Sequence, residues 1–272
     1  MTATLPADLL LDWIGWRELF GLFAALTAAS AVMIYLIVPE ASPVASGAVP
    51  VGLRKVYADP RFWRLAPLSA ACIGTAWALQ GLWAAQWLKD VEGLDRAGVV
   101  FHLFAMAVAL SLGAILLGIA VDQLRRRGVG PGPLLGLVAA AFIATQFALI
   151  LRLPLPSYLQ WAVVAAVGAA TVLSFAILAE YFPKELARRA NGALNLFHIA
   201  AAFVVQYATG VVLQHWTPQA GHYPEIAYQT AFALNLALQV AAWIWFMFPR
   251  VRTDSRQRLT REPCSNLRPG RS

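Results

Sequence analysis

The sequence predicts an all-α integral membrane protein of about seven transmembrane helices. Three observations carry this: a composition too apolar for a solvated chain, seven long blocks without charge, and basic residues gathered on alternate connections. Of the 272 residues, 60% are hydrophobic and 13% charged, and the mean hydropathy is +0.63. Soluble domains carry about 25% charged residues, so most of this chain lacks the polar surface that water requires.

A membrane-crossing helix needs ~20 mostly apolar residues. The chain offers such blocks at Phe20–Val38, Leu65–Leu88, Val99–Val121, Pro133–Leu151, Ser157–Ala179, Asn191–Gln214 and Ala227–Phe248, and none contains Asp, Glu, Lys or Arg. A charge at mid-helix costs ~2.5–3.5 kcal/mol on insertion scales, so its exclusion from every block is what lipid demands. Breakers and charges punctuate the chain between blocks: Pro39-Glu40, Asp59-Pro60-Arg61, Lys89-Asp90, Arg125-Arg126-Arg127-Gly128, Pro154–Pro156, Pro183-Lys184-Glu185 and Pro218. The organisation expected is a leading segment 1–19 outside the cytoplasm and a first helix 20–38. A cytoplasmic loop 39–64, a six-helix unit 65–248 and a basic tail 249–272 follow. The tail is rich in Arg, Ser, Thr, Pro and Gly and reads as disordered.

Seven spans alternate sides, and the basic residues take one side. Arg54, Lys55, Arg61, Arg64, Arg125–Arg127, Lys184, Arg188, Arg189 and the seven arginines of the tail make seventeen of the 21. Only Arg17, Lys89, Arg96 and Arg152 fall on the other. The positive-inside rule then sets the N-terminus outside and the C-terminus in the cytoplasm of a plasma (inner) membrane. The net charge of +7 is thereby a topological signal. Nucleic acid is excluded as a partner, since no basic residue interleaves with an exposed aromatic platform. Cys72 sits in an apolar block and Cys264 in the tail, which makes a disulfide between them unexpected. His102, His198, His215 and His222 show no spacing for a metal, and neither metal nor cofactor is expected. No basic n-region opens the chain, so no secretory signal is read.

Polar residues inside the spans are the candidates for chemistry. At roughly 100° per residue, Asn191, Asn195, His198, Gln206 and Thr209 fall in a stripe of roughly 80°. Such a stripe turns toward protein or a water-filled cavity. Either it lines a solute path with His198 taking up a proton, or it glues helices by hydrogen bonds worth ~0.6–2 kcal/mol each. On the second block Gln80 shares a face with Trp77, Trp83 and Trp87. An amide among indoles suits a small organic solute; the alternative places Trp83 and Trp87 in the outer aromatic belt. Ser157, Gln160, Thr171 and Ser174 share a face of the fifth block, although helix hydroxyls often bond their own backbone. Tyr228, Asn235 and Gln239 read as packing. Gly118 and Asp122 lie on one face, with Asp122 placed to pair with an arginine or a helix N-terminus.

Three stretches resemble the major facilitator superfamily of secondary transporters. Gly15-Trp16-Arg17, with the apolar block ending at Pro39-Glu40, is similar to the approach to the family's sixth helix and that helix itself. The run Gly118-Ile-Ala-Val-Asp122-Gln-Leu-Arg125-Arg126-Arg127-Gly128 is similar to the G-x-x-x-D-x-x-G-R-R loop in its second-half copy, with Arg125 where the family has Gly. Glu180-Tyr-Phe-Pro183, followed by Arg188, Arg189 and Gly192, resembles the loop between helices ten and eleven. The resemblance implies that the spans are helices six to twelve, a C-terminal six-helix half plus one preceding helix. Spans 65–151 and 157–248 then form two three-helix units of opposite topology.

It further implies that the blocks holding Gln80 and Trp77, and Thr171 and Ser174, line a central path for a small-molecule substrate. Gly118, Asp122, Arg125–Arg127 and Gly128 then act in a cytoplasmic gate, with Glu180 and Arg188 or Arg189 as a second lock. The first five helices of the family have no counterpart here, which implies a fragment partnered by an N-terminal half and no transport by this chain alone. The competing classes fare less well. A retinal protein needs a lysine in its last span, whereas Lys55, Lys89 and Lys184 all lie in connections. No catalytic dyad or metal cluster is visible within a span, so no enzyme is expected. A ligand receptor or a transporter remnant stays open.

Overall fold

A computed structural model describes residues 10–11, 13–37 and 52–248. The segment 1–9, the first half (39–51) of the loop expected at 39–64 and the basic tail 249–272 lie outside the described residues. Those described form helices and short connections with no strand. In chain order the helices are α1 (Trp16–Ile37), α2 (Leu53–Tyr57), α3 (Pro60–Ala78), α4 (Ala84–Asp90), α5 (Arg96–Arg126), α6 (Gly132–Ile150), α7 (Ser157–Gly168), α8 (Thr171–Tyr181), α9 (Lys184–Leu213) and α10 (Glu225–Met247). A π-helical turn, Leu79–Trp83, joins α3 to α4 into one long rod. Seven helical stretches are long and apolar enough to cross a membrane, and they coincide with the seven expected blocks. The helices run several residues past the apolar blocks into charged flanks, because backbone hydrogen bonding continues where the apolar surface stops.

The ends are set by local chemistry. Asp59 caps α3, its carboxylate accepting from the Arg61 backbone N–H at 2.8 Å, and Pro60 fills the first helical position, where no donor is needed. Burial works against the Asp59 charge. The hydrogen bonds from the Arg61 side chain and backbone outweigh it and hold the carboxyl below its ordinary 3.8. A depressed carboxylate stabilises the fold above its ordinary pKa and loses that contribution as pH falls through the lower folded value. Asp59→Ala is therefore expected to cost ~1 kcal/mol at neutral pH, measured by thermal unfolding in detergent, with a gap from wild type that closes under acid.

Helix α5 ends in a six-to-one bond from Val129 N to the Leu124 carbonyl at 2.9 Å, with Gly128 at φ +74° where an L side chain is disfavoured. Helix α6 ends in the same motif, Leu153 N donating to the Ala148 carbonyl at 3.0 Å, but its left-handed position is Arg152 at φ +51°.

The rod α3–α4 is the centre of the bundle. Two-thirds of its most apolar window is buried, 67%, against 0% for α1. It packs most extensively on α9, then on α10 and α7, while α5 packs on α7 and α6 on α10. Small residues allow the close crossings. A Cβ added at Gly74 would sit 2.6 Å from the Ala201 Cβ, and one at Gly113 would sit 3.2 Å from the Ala166 Cβ. Polar side chains tie neighbours together. Gln146 and Gln239 exchange two amide bonds at 2.7 and 3.1 Å between α6 and α10. Asn235 donates to Thr75 at 2.9 Å between α10 and α3. These contacts give the packing roles read for Asn235 and Gln239 a specific form.

The two ends of the bundle differ in charge. At one end Arg61 lies over the rings of Tyr181 and Phe182, Arg64 donates to the Phe246 carbonyl at 3.1 Å, and Arg125 meets Glu180. The other end carries the pairs Asp90–His222 and Arg152–Glu225, with Glu92 bonded to Ser157. The fold thus gathers arginines of two separate connections at one end, as the alternation of spans requires.

Candidate functional site

The most concentrated buried polarity lies where α3, α8 and α9 meet. The Ser69 hydroxyl contacts the Ser174 hydroxyl at 2.7 Å and His198 Nε2 at 2.7 Å, and all three residues are 0% exposed. Ser174 also donates to the Ala170 carbonyl at 3.4 Å. That bond fixes the direction of the chain. With the Ser174 hydrogen spent on Ala170, Ser69 donates to Ser174 and accepts from His198 Nε2–H. The imidazole is then the Nε2–H tautomer, and Nδ1 is left as a buried acceptor without a partner among the described residues. Trp77 stands edge-on to the ring with centroids 5.9 Å apart, and Phe175 lies 6.1 Å away on another side.

Two interruptions of helix frame this cluster. The span Ser157–Tyr181 is broken between α7 and α8 at Ala169 and Ala170, whose N–H groups tighten to three-residue bonds at 3.1 and 2.9 Å. Thr171, half-buried, opens α8 directly after the break, one turn before Ser174. Gly168 at the end of α7 leaves room for Trp77, whose indole would stand 3.3 Å from an added Cβ. The second interruption is the π turn of the central rod, which holds Gln80. Single π turns inside α-helices recur at functional sites.

The π turn also changes the expected face of Gln80. The straight-helix register that sets Gln80 beside Trp77, Trp83 and Trp87 does not carry across an inserted residue. Trp83 and Trp87 turn inward and are 9% and 0% exposed. Trp87 stacks on Phe232 with centroids 5.4 Å apart, and Trp83 sits against Tyr228 at 6.5 Å. Burial in the bundle, not an outer aromatic belt, is their setting. Gln80 remains half-buried, and the Gln206 amide of α9 lies against the turn, 3.3 Å from where a Gly81 Cβ would stand.

The rest of the α9 stripe is brought to the same interior side. Thr209 is 4% exposed, Asn191 and Asn195 are half-buried, and Asn191 Oδ1 is a buried acceptor with no partner among the described residues. The opposite side of α9 is apolar and exposed, with Leu196, Phe203, Val204 and Tyr207 each more than half accessible.

The loop residues arrange themselves differently from the expectation. A Cβ at Gly118 would meet nothing within 4 Å, so no close helix approach requires that glycine. Asp122 is exposed and carries no ion pair among the described residues, while Arg126 and Arg127 are exposed as well. Glu180 pairs with Arg125, at 3.4 Å, a partner the resemblance does not name. The reason is that α5 and α8 end side by side. Both partners of the Arg125–Glu180 pair are over a third exposed, at 45% and 40%, so it contributes at most ~1 kcal/mol.

Two carboxylates that the sequence pattern does not single out are each held by three partners. Asp90, with a 4% exposed side chain, accepts from Tyr228 OH at 2.7 Å and Tyr223 N at 3.2 Å, and meets His222 Nδ1 at 2.8 Å. Glu92 accepts from Trp87 Nε1 at 3.0 Å, from the Ser157 hydroxyl at 2.7 Å and from Trp161 Nε1 at 3.4 Å. Their place in a connection hid them. The signal available was the pairing of an acid with indole residues one and two turns away. Ser69 was missed because one serine in an apolar block carries no periodicity.

Among the described residues no group of three or more His, Cys, Asp or Glu is placed to hold a metal. A serine hydroxyl on an imidazole is the pairing used by hydrolytic nucleophiles; here both side chains are 0% exposed. Compared with known proteins, the chain matches no protein-family model and none of the curated sequences.

Proposed function

We propose that the chain is a multi-pass membrane protein of the major facilitator type, its helices corresponding to that family's sixth to twelfth, and that it serves the secondary transport of a small solute. The observation that carries the reading is the Ser174–Ser69–His198 chain, buried at 0% exposure beside a broken span. Polar groups deep in apolar spans mark solute and ion paths, and broken helices near mid-span are where transporters build their sites. In this reading α3, α8 and α9 form one wall of the path. His198 Nδ1, an acceptor with no partner among the described residues, takes up the coupling proton, and the two serines relay the hydrogen-bond change to the break before α8.

The exposed apolar sides of α1, α5 and α9 exceed what a soluble monomer carries. Lipid covers part of them, and a second six-helix half closes the path on the polar side. The arginine-rich end is cytoplasmic in this reading, with the N-terminus outside.

The test is accessibility. Single-cysteine variants on a Cys72→Ser, Cys264→Ser background are reacted with a charged thiol reagent in membrane vesicles. Asn195→Cys and Gln206→Cys are expected to react, and Leu196→Cys and Phe203→Cys to stay protected. Equal protection at all four positions would remove the aqueous path and the transporter reading with it. In whole cells, labelling of a cysteine at 126 but not at 152 would overturn the orientation.

A further inference from the structure

We propose that a cavity at the end of the bundle opposite the arginine cluster binds a small primary ammonium compound, with Glu92 as its counter-ion and the Gln160 amide as its second polar contact. This stands independently of the transporter reading. The cavity encloses about 360 Å³ between the ends of α6 and α7 and the connection after α4, and is lined by Glu92, Arg152, Ser157, Gln160, Leu149 and Leu153 among others. That volume suits a small molecule.

The charge balance selects the ligand. Glu92 is oriented by three donors, two indole N–H groups and a hydroxyl, none of which carries a formal charge. It has no ion pair among the described residues. Arg152 is engaged elsewhere, with its Nε 3.4 Å from Glu225 and its guanidinium 5.9 Å from the centre of the Trp87 ring. The cluster of Glu92, Arg152 and Glu225 therefore holds one more negative than positive charge, and a cation completes it.

Gln160 points to the same ligand. It is 6% exposed and lines the cavity, and its amide has no hydrogen-bond partner among the described residues. Its amide is reachable from the cavity, so a ligand N–H can bond its carbonyl oxygen. An ammonium group offers three donors, enough for Glu92, Gln160 and the Ser157 oxygen. Leu149 and Leu153 accept a short aliphatic body.

Arg152 adds a separate sign. It occupies the left-handed position that the equivalent turn after α5 gives to Gly128. Strain of this kind persists where surrounding contacts over-determine it and clusters at ligand sites. The ammonium could come from a soluble amine or from an ethanolamine lipid headgroup, because the cavity opens at helix ends.

The experiment titrates the full chain, in phosphatidylcholine nanodiscs, with n-butylammonium chloride and follows tryptophan emission, to which Trp87 and Trp161 report directly through Glu92. A saturable change is expected with n-butylammonium but not with n-butanol or sodium chloride. Glu92→Gln and Gln160→Leu should each weaken it about tenfold or more. A weaker apparent affinity in nanodiscs containing phosphatidylethanolamine supports the site and identifies the headgroup as its occupant; an unchanged affinity supports it with a soluble amine. An absent response, an equal response to n-butanol, or an unaltered response in Gln160→Leu would overturn the proposal. Gln160→Leu is decisive if Glu92→Gln fails to fold, because the Gln160 amide holds nothing else in place.

Discussion

Trp87→Ala is expected to destabilise the bundle by about 3–5 kcal/mol. Three contributions add. The side chain is 0% exposed and stacks on Phe232 at 5.4 Å while standing edge-on to Tyr228 at 5.9 Å, so its removal leaves a cavity between the α3–α4 rod and α10. Its indole N–H is also the 3.0 Å donor to Glu92, which loses the shorter of its two indole partners. Finally, the ring carries the Arg152 guanidinium at 5.9 Å, a contact that helps keep that residue in its left-handed conformation. Trp87→Phe separates these, keeping most of the packing and removing only the N–H. A loss of ~1–2 kcal/mol is expected for it. Unfolding in detergent, by denaturant or by heat, reads both variants. Equal losses would mean that the Glu92 bond, not packing, dominates; no loss in either would mean that Trp87 is not buried.

Gly74→Val is expected to be the most disruptive single addition of atoms, costing at least ~1–3 kcal/mol and preventing assembly if the helices cannot separate. An added Cβ alone would lie 2.6 Å from the Ala201 Cβ, 2.8 Å from the Ala202 nitrogen and 3.0 Å from the Ala201 carbonyl carbon. Two of those atoms are backbone, so no rotamer change relieves the clash, and α3 must move away from α9. Ser69 and His198 sit on the same pair of helices, so their 2.7 Å contact should be lost as the helices part. Gly118→Val is the control. It lies in the motif that draws attention in the sequence, yet a Cβ there meets nothing within 4 Å, and only a small change is expected. The same unfolding assay compares the two. A tolerated Gly74→Val, or a Gly118→Val as damaging as Gly74→Val, would show that the crossing is elsewhere.

Much of the architecture was legible because it rests on local composition. Blocks of about twenty apolar residues become helices wherever water is excluded, since only internal hydrogen bonding satisfies the backbone. The observed stretches follow those blocks closely, from Trp16–Ile37 to Glu225–Met247. The α9 stripe was legible for the same reason, as a regular helix repeats its faces. The Gln80 face was read wrongly past Leu79 because one π turn shifts the phase of everything after it. That Arg125 meets Glu180 was not legible, because the two lie 55 residues apart and only the packing of α5 beside α8 brings them together.

From the chain alone came the number of helices, their order and the side on which arginine collects, because each depends on runs of neighbouring residues. Only the packed structure decided that His198 meets Ser69, 129 positions distant, that Glu92 rests on two indoles, and that Gly74 matters where Gly118 does not. Those outcomes depend on which helix faces which. Crossings, breaks and caps settle that together, and no stretch of local sequence encodes it.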